Sequence, residues 1–166
     1  MSATAIKRPV VPAVGSARRF SILLGAMLLL ASVSFPGFAV ADEVDEVEAA
    51  VVKLATRQEK EGFDFRADIW ERQLPPDLGK AVRVQFFKGN EYRVCVAVPP
   101  KSGVEIAAHV LDMEGKPVES KVETEEGGWG ATLSVKQDRT GVYVVVVRRS
   151  GGKEKTTVCA MINGYK

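Results

Sequence analysis

The sequence predicts a mainly β fold: an antiparallel sandwich of about seven strands, with one N-terminal α-helix packed outside a sheet. Three observations carry that expectation. Beyond Lys80, turn signals recur roughly every ten residues, at Gly89-Asn90, Pro99-Pro100, Gly115-Lys116-Pro117, Gly127-Gly128, Thr140-Gly141 and Gly151-Gly152. The runs between them are short and alternate apolar with polar residues, or are valine-rich throughout. A single stretch, 43–61, repeats its apolar residues at helical steps.

The chain opens on a segment that reads as a secretory signal. Lys7, Arg8, Arg18 and Arg19 precede an apolar run from Phe20 to about Phe35, and no acidic residue occurs before Asp42. The run is shorter than the ~20 apolar residues that a spanning helix needs. Pro36-Gly37 and the small-x-small pattern Ala39-Val40-Ala41 follow it, which places cleavage between Ala41 and Asp42. The alternative is an uncleaved anchor. Arg18-Arg19-Phe20 resembles a twin-arginine signal only loosely. The domains expected are thus 1–41, a signal; 42–79, an acidic amphipathic helix with an aromatic connecting segment; and 80–166, a β-sandwich, in an exported protein, periplasmic or extracellular.

Loss of those four cations from the 23 basic residues, against 21 acidic ones, turns the net charge from +2 to −2. No lysine and arginine cluster remains to neutralise a run of phosphates, so nucleic acid is excluded as a partner. No membrane span is expected after cleavage.

Along 43–61, Val44, Val47, Val51, Leu54 and Ala55 share one face, with Asp42, Glu43, Asp45, Glu46 and Glu48 at the start and Arg57 and Lys60 at the end. The acids suit the helix dipole, and they could alternatively hold calcium or a partner. Phe63, Phe65, Ile69 and Trp70 then form a connecting segment that closes at Pro75-Pro76 and plugs one end of the core. Strands are expected at 81–87, 91–98, 104–112, 118–124, 131–137, 142–149 and 154–162.

Two strands say more than the others. Tyr92, Val94, Val96 and Val98 alternate with Arg93, Cys95 and Ala97, so one face is wholly apolar and the other small or amphipathic. Tyr143 to Val147 is apolar on both faces and needs cover on both. The helix is therefore expected over the sheet containing 142–149, on the Cys95 side of the neighbouring strand. Cys95 and Cys159, both in the exported part, are expected to form a disulfide; two buried free thiols are the alternative.

From Phe86 onward, F-F-K-G-N-E-Y-R-V-C-V-A-V, V-L-D-M-E-G-K-P-V and D-R-T-G-V-Y-V-V-V-V-R-R resemble the bacterial pre-peptidase C-terminal domain and related secreted proteins, over about residues 81–166. The resemblance implies a jelly-roll-like sandwich, an accessory or binding module without chemistry of its own. Some related modules bind calcium and collagen. Here the strand that often alternates aspartate and leucine reads Val104-Glu105-Ile106-Ala107-Ala108-His109-Val110-Leu111, and Asp112 alone remains of that acidic pattern. Calcium is not carried over, and no cofactor is expected.

Candidates for catalysis are few. His109 is the single histidine and sits mid-strand among apolar neighbours, so a triad has one base to draw on. No zinc-ligand cluster and no phosphate loop is present, because Gly127-Gly128-Trp129-Gly130 lies between two strands. Glu91, Asp112, Glu114 and Asp138 fall at turns, and a hydrolase with paired carboxylates would have to draw on such acids. For binding, Trp129 between Gly128 and Gly130 either stacks on a ligand or folds back to cap the sandwich, with Asp112 and Glu114 as further contact candidates. The expectation is a non-catalytic envelope or secreted module that binds a protein or a surface polysaccharide. The alternative is a structural or stress-related periplasmic protein whose helix regulates access to the sheet.

Overall fold

In the computed structural model the described residues are 37–166, with side chains from Asp42 onward. Residues 1–36, most of the expected signal including its apolar run, lie outside them. Helix α1 spans Gly37–Glu59 and so begins ahead of the expected start, directly after Pro36. The expected cleavage point therefore falls inside α1. The helix stops at Gly62, whose φ of 88° lets the chain turn left-handed, while the Phe63 N–H donates to the Gln58 carbonyl at 3.3 Å.

Nine strands follow: β1 (Asp64–Phe65), β2 (Trp70–Leu74), β3 (Lys80–Phe86), β4 (Glu91–Ala97), β5 (Val104–Leu111), β6 (Lys121–Thr124), β7 (Gly130–Lys136), β8 (Gly141–Gly152) and β9 (Thr157–Tyr165). All seven expected strands are present. The two extra ones come from the connecting segment, where β1 and β2 both pair with β9.

The strands form two antiparallel sheets. One has the order β9-β4-β7-β6, with β1 and β2 along the free side of β9, and the other has the order β3-β8-β5. From β3 to β9 the chain changes sheet at every connection except the β6–β7 hairpin. Between the sheets lies the main core, with Tyr92, Val94, Val96, Leu133, Val135 and Met161 of the larger sheet facing Val84, Phe86, Ile106, Val110, Tyr143, Val145 and Val147 of the smaller one. Phe86, at the end of β3, is fully buried in it, its ring 4.3 Å from Tyr92 and 5.2 Å from Tyr143.

A second core lies on the outside of the larger sheet. Val47, Ala50, Val51, Leu54 and Ala55 of α1 pack there on Cys95, Ala97, Val158, Ala160 and Ile162. These strand residues are mostly small, and Gly130 has no side chain, so the helix settles close to the sheet; a Cβ at Gly130 would stand 3.2 Å from Leu54 Cδ1. The helix thus covers the Cys95 side, as expected, but on the sheet of β4 and β9. The sheet holding β8 remains bare on its outer face, where Val142, Val144 and Val146 are exposed or half-buried beside His109 and Leu111. Side-chain size decides this, since Arg83, Arg148 and His109 stand on that face where Cys95 and alanines stand on the other.

Cys95 and Cys159 are both free, buried thiols. The reason they are unpaired is register: Cys95 lies opposite Ile162, three residues beyond Cys159. Three is odd, so Cys95 faces the helix while Cys159 faces the other sheet, and about 10 Å of strand separates their levels. That offset is outside the reach of a disulfide.

Candidate functional site

Trp129 starts from a tight turn. After β6 the chain reverses through Gly127 (φ 79°) and Gly128 (φ 67°), and the Gly128 N–H donates to the Glu125 carbonyl at 2.9 Å. The Gly128 carbonyl accepts from Ile106 N–H of β5 at 2.8 Å, and a Cβ on Gly128 would stand 2.9 Å from the Glu105 side chain. Gly128 and Gly130 are therefore seats for neighbouring elements: one lets β5 approach the turn, the other receives Leu54. Trp129 is held by its own carbonyl, which accepts from Val98 N–H at 2.9 Å.

The indole packs against both cores and remains half-buried, with Lys53 Nζ 5.9 Å from the ring centre. The ring caps the junction of helix and sandwich, and part of it stays exposed. With Pro100, Ala49 and Ala50 as apolar walls and Lys53 and Glu46 as charged rim, it forms a shallow cleft of about 330 Å³. Arg57 of α1 bonds Glu125 at 2.6 Å and fixes this end of the helix to the hairpin.

Asp112 and Glu114 are not brought to Trp129. They lie past the far end of β5, beyond Leu111, whereas the hairpin meets β5 near its start at Ile106. Asp112 Oδ1 accepts from the N–H groups of Glu114 at 3.1 Å and Lys116 at 2.7 Å, which makes Asp112 the organiser of its own turn. Both acids line a wide cleft of about 520 Å³ with Lys136, Arg139 and Tyr143. Among the described residues no group of three histidine, cysteine or acidic side chains converges as metal ligands would. His109 stands opposite Val146 on the bare sheet face, away from the Trp129 cleft.

The thiols are shielded. Burial pushes Cys95 up to about 12 and Cys159 to about 11, against weaker opposing contacts with Thr132 for Cys95 and Lys80 for Cys159.

Two features escaped the sequence reading because β2 was unrecognised. Glu71 of β2 lies opposite Ala160, beneath α1. Burial, and then the Glu48 carboxyl beside it, hold its own carboxyl above the ordinary range, with Asp45 adding to the effect. Its Oε1 is buried and has no hydrogen-bond partner. The second feature is a groove of about 410 Å³ between β2 and β3, reached by Arg66, Arg72 and Arg83. No protein-family model matches the chain, and a search of the curated proteins gives no match.

Proposed function

We propose that the protein is an exported, non-catalytic binding module of the cell envelope or secretome, and that its contact surface is the Trp129 cleft. The observation that carries this reading is the seating of the indole. The half-buried indole packs on both cores beside the helix, and its backbone is held by the Val98 N–H and two close-packed glycines, so less freedom is lost on binding than for a ring on a free loop. The apolar floor of Trp129, Pro100 and Ala49 suits the face of a sugar ring or an apolar side chain, and Lys53 and Glu46 offer a donor and an acceptor at the rim. The resemblance of residues 81–166 to pre-peptidase C-terminal domains supports a sandwich that serves as an accessory module, with a jelly-roll connection of its strands.

A glycan and extracellular-matrix array probed with the protein and its Trp129→Ala variant tests the reading. Loss of the bound class in Trp129→Ala, with recovery in Trp129→Phe, is the expected result. Equal binding by all three proteins would refute the cleft as the contact.

The Glu48–Glu71 contact favours a second reading, in which α1 is a regulatory cover, because like charges meet where helix and β2 pack. Against it, Val47, Val51 and Leu54 are fully buried. Limited proteolysis separates the two, since a movable helix is cut first within 60–76 and a fixed one resists.

A further inference from the structure

The two sides of the sandwich are finished differently. Along β5, the Gly128 carbonyl accepts from Ile106 N–H and the Val110 carbonyl accepts from Val118 N–H at 2.9 Å, so loops of the chain close that edge. Along β3 nothing does. Strand β3 pairs with β8 alone, and among the described residues the backbone groups of Ala81 to Phe86 that point away from β8 have no partner. Within the strand there is no proline, bulge or covering loop, and the guards of this edge are its charges, Lys80 and Arg83.

Beside this edge runs the 410 Å³ groove, with Trp70, Val82, Val84 and Met161 as its apolar lining. The charge around it is predominantly basic, with Arg66, Arg72 and Arg83 against Asp68 and Glu71. Arg66, Arg72 and Arg83 are exposed, and among the described residues none forms an ion pair. Arg72 donates to the Glu71 carbonyl at 2.7 Å and lies 5.7 Å from the Trp70 ring centre, which leaves its charge unneutralised. Of the acids near the groove, Asp68 is exposed, and Glu71 is turned to Glu48.

We propose that the β3 edge takes up an extended acidic peptide segment of a partner protein as an added strand. A strand laid antiparallel on β3 completes its ladder, and alternate side chains enter the groove against Val82, Val84 and Trp70. The intervening side chains face outward beside Ala81, Arg83 and Gln85, where carboxylates meet Arg83; Arg66 and Arg72 take carboxylates at the groove mouth. A second copy of this chain is a poor occupant, because its β3 carries Lys80 and Arg83 and no acid, and pairing β3 with β3 sets cation against cation. This surface lies at the sheet edge opposite the β6–β7 hairpin and is independent of the Trp129 cleft.

Fluorescence anisotropy with a labelled, end-blocked seven-residue peptide of alternating valine and glutamate, matched to the seven residues of β3, tests the proposal. The peptide is expected to bind, with affinity that falls as salt rises. Replacing its glutamates by lysine is expected to abolish binding, and N-methylating alternate residues to weaken it about tenfold or more through lost ladder bonds. Arg83→Glu and Arg72→Glu, both at exposed positions, are expected to weaken it several-fold with the circular dichroism spectrum unchanged. The proposal is overturned if the peptide fails to bind, if the N-methylated peptide binds equally, or if both arginine variants bind as well as the parent. Polygalacturonate displacing the peptide at equal charge concentration would also overturn it, by showing an anion site for glycans in place of a strand site.

Discussion

Leu54 and Gly130 form a lock between helix and sheet, and a double-mutant cycle can measure it. Leu54 is fully buried, and its Cδ1 would meet a Cβ at position 130 at 3.2 Å. Leu54→Ala removes three carbons from a closed site and is expected to destabilise by about 3 kcal/mol. Gly130→Ala alone inserts a methyl that crowds Leu54 Cδ1, Glu125 Cγ at 3.3 Å and the Val96 carbonyl at 3.4 Å. Overpacking by about 1–3 kcal/mol is partly offset by about 0.4–1 kcal/mol from the stiffer unfolded chain, for a net loss of about 1 kcal/mol. In the double variant the new methyl enters the space that Leu54 vacates, while its contacts with Glu125 and Val96 persist. The pair is therefore expected to be more stable than the sum of the singles by about 1–2 kcal/mol. Urea unfolding followed by tryptophan fluorescence and circular dichroism gives the four stabilities. Additivity within about 0.4 kcal/mol would show that α1 does not seat Leu54 over Gly130.

Three further outcomes are expected. Iodoacetamide at pH 8 leaves both native thiols unmodified, because burial holds Cys95 up to about 12 and Cys159 to about 11, whereas unfolding without reductant yields two adducts by mass; none would mean a disulfide. Glu71→Gln raises stability at pH 7 by roughly 0.5–1 kcal/mol, since the introduced amide donates to Glu48 where a second carboxylate cannot. The sign follows from the raised folded value: the folded state holds the Glu71 proton more tightly than the unfolded one, so stability declines as pH rises from about 4.5 through the folded value, and the variant's advantage disappears below about pH 4. On β8, Val145→Asp buries an unpaired charge in the core and abolishes folding, with a loss above about 4 kcal/mol, while Val144→Asp on the bare face changes the unfolding free energy measured in urea by less than about 1 kcal/mol; similar losses would disprove the register.

The seven main strands were legible because alternation and turn residues are local signals, and the Tyr92–Val98 stripe named both faces of β4 before any pairing was known. Strand β2 was not legible. Trp70-Glu71-Arg72-Gln73-Leu74 has no clear alternation, and it becomes a strand through pairing with β9 far along the chain. The acid pair and the arginine groove were hidden with it. The disulfide expectation used the compartment, whereas register decided the outcome, and an odd offset of three residues cannot be read without knowing which residues face each other. Asp112 and Glu114 looked available because turns are exposed, but a turn aspartate commonly binds its own backbone, and here it does.

The bare outer face and the open edge of the smaller sheet have one cause. A helix can lie flat on a sheet only where the strands offer small side chains, and Cys95, Ala97, Ala160 and Gly130 supply that surface on the larger sheet alone. The apolar residues of α1 are spent there, and no other α-helix follows in the described residues to cover β3-β8-β5. That sheet therefore keeps its half-buried valines, and its β3 edge keeps unpaired backbone groups flanked by arginines. Exposure of this kind invites association, and the arginines restrict which strands can accept the invitation, since they repel a copy of β3 and attract an acidic one.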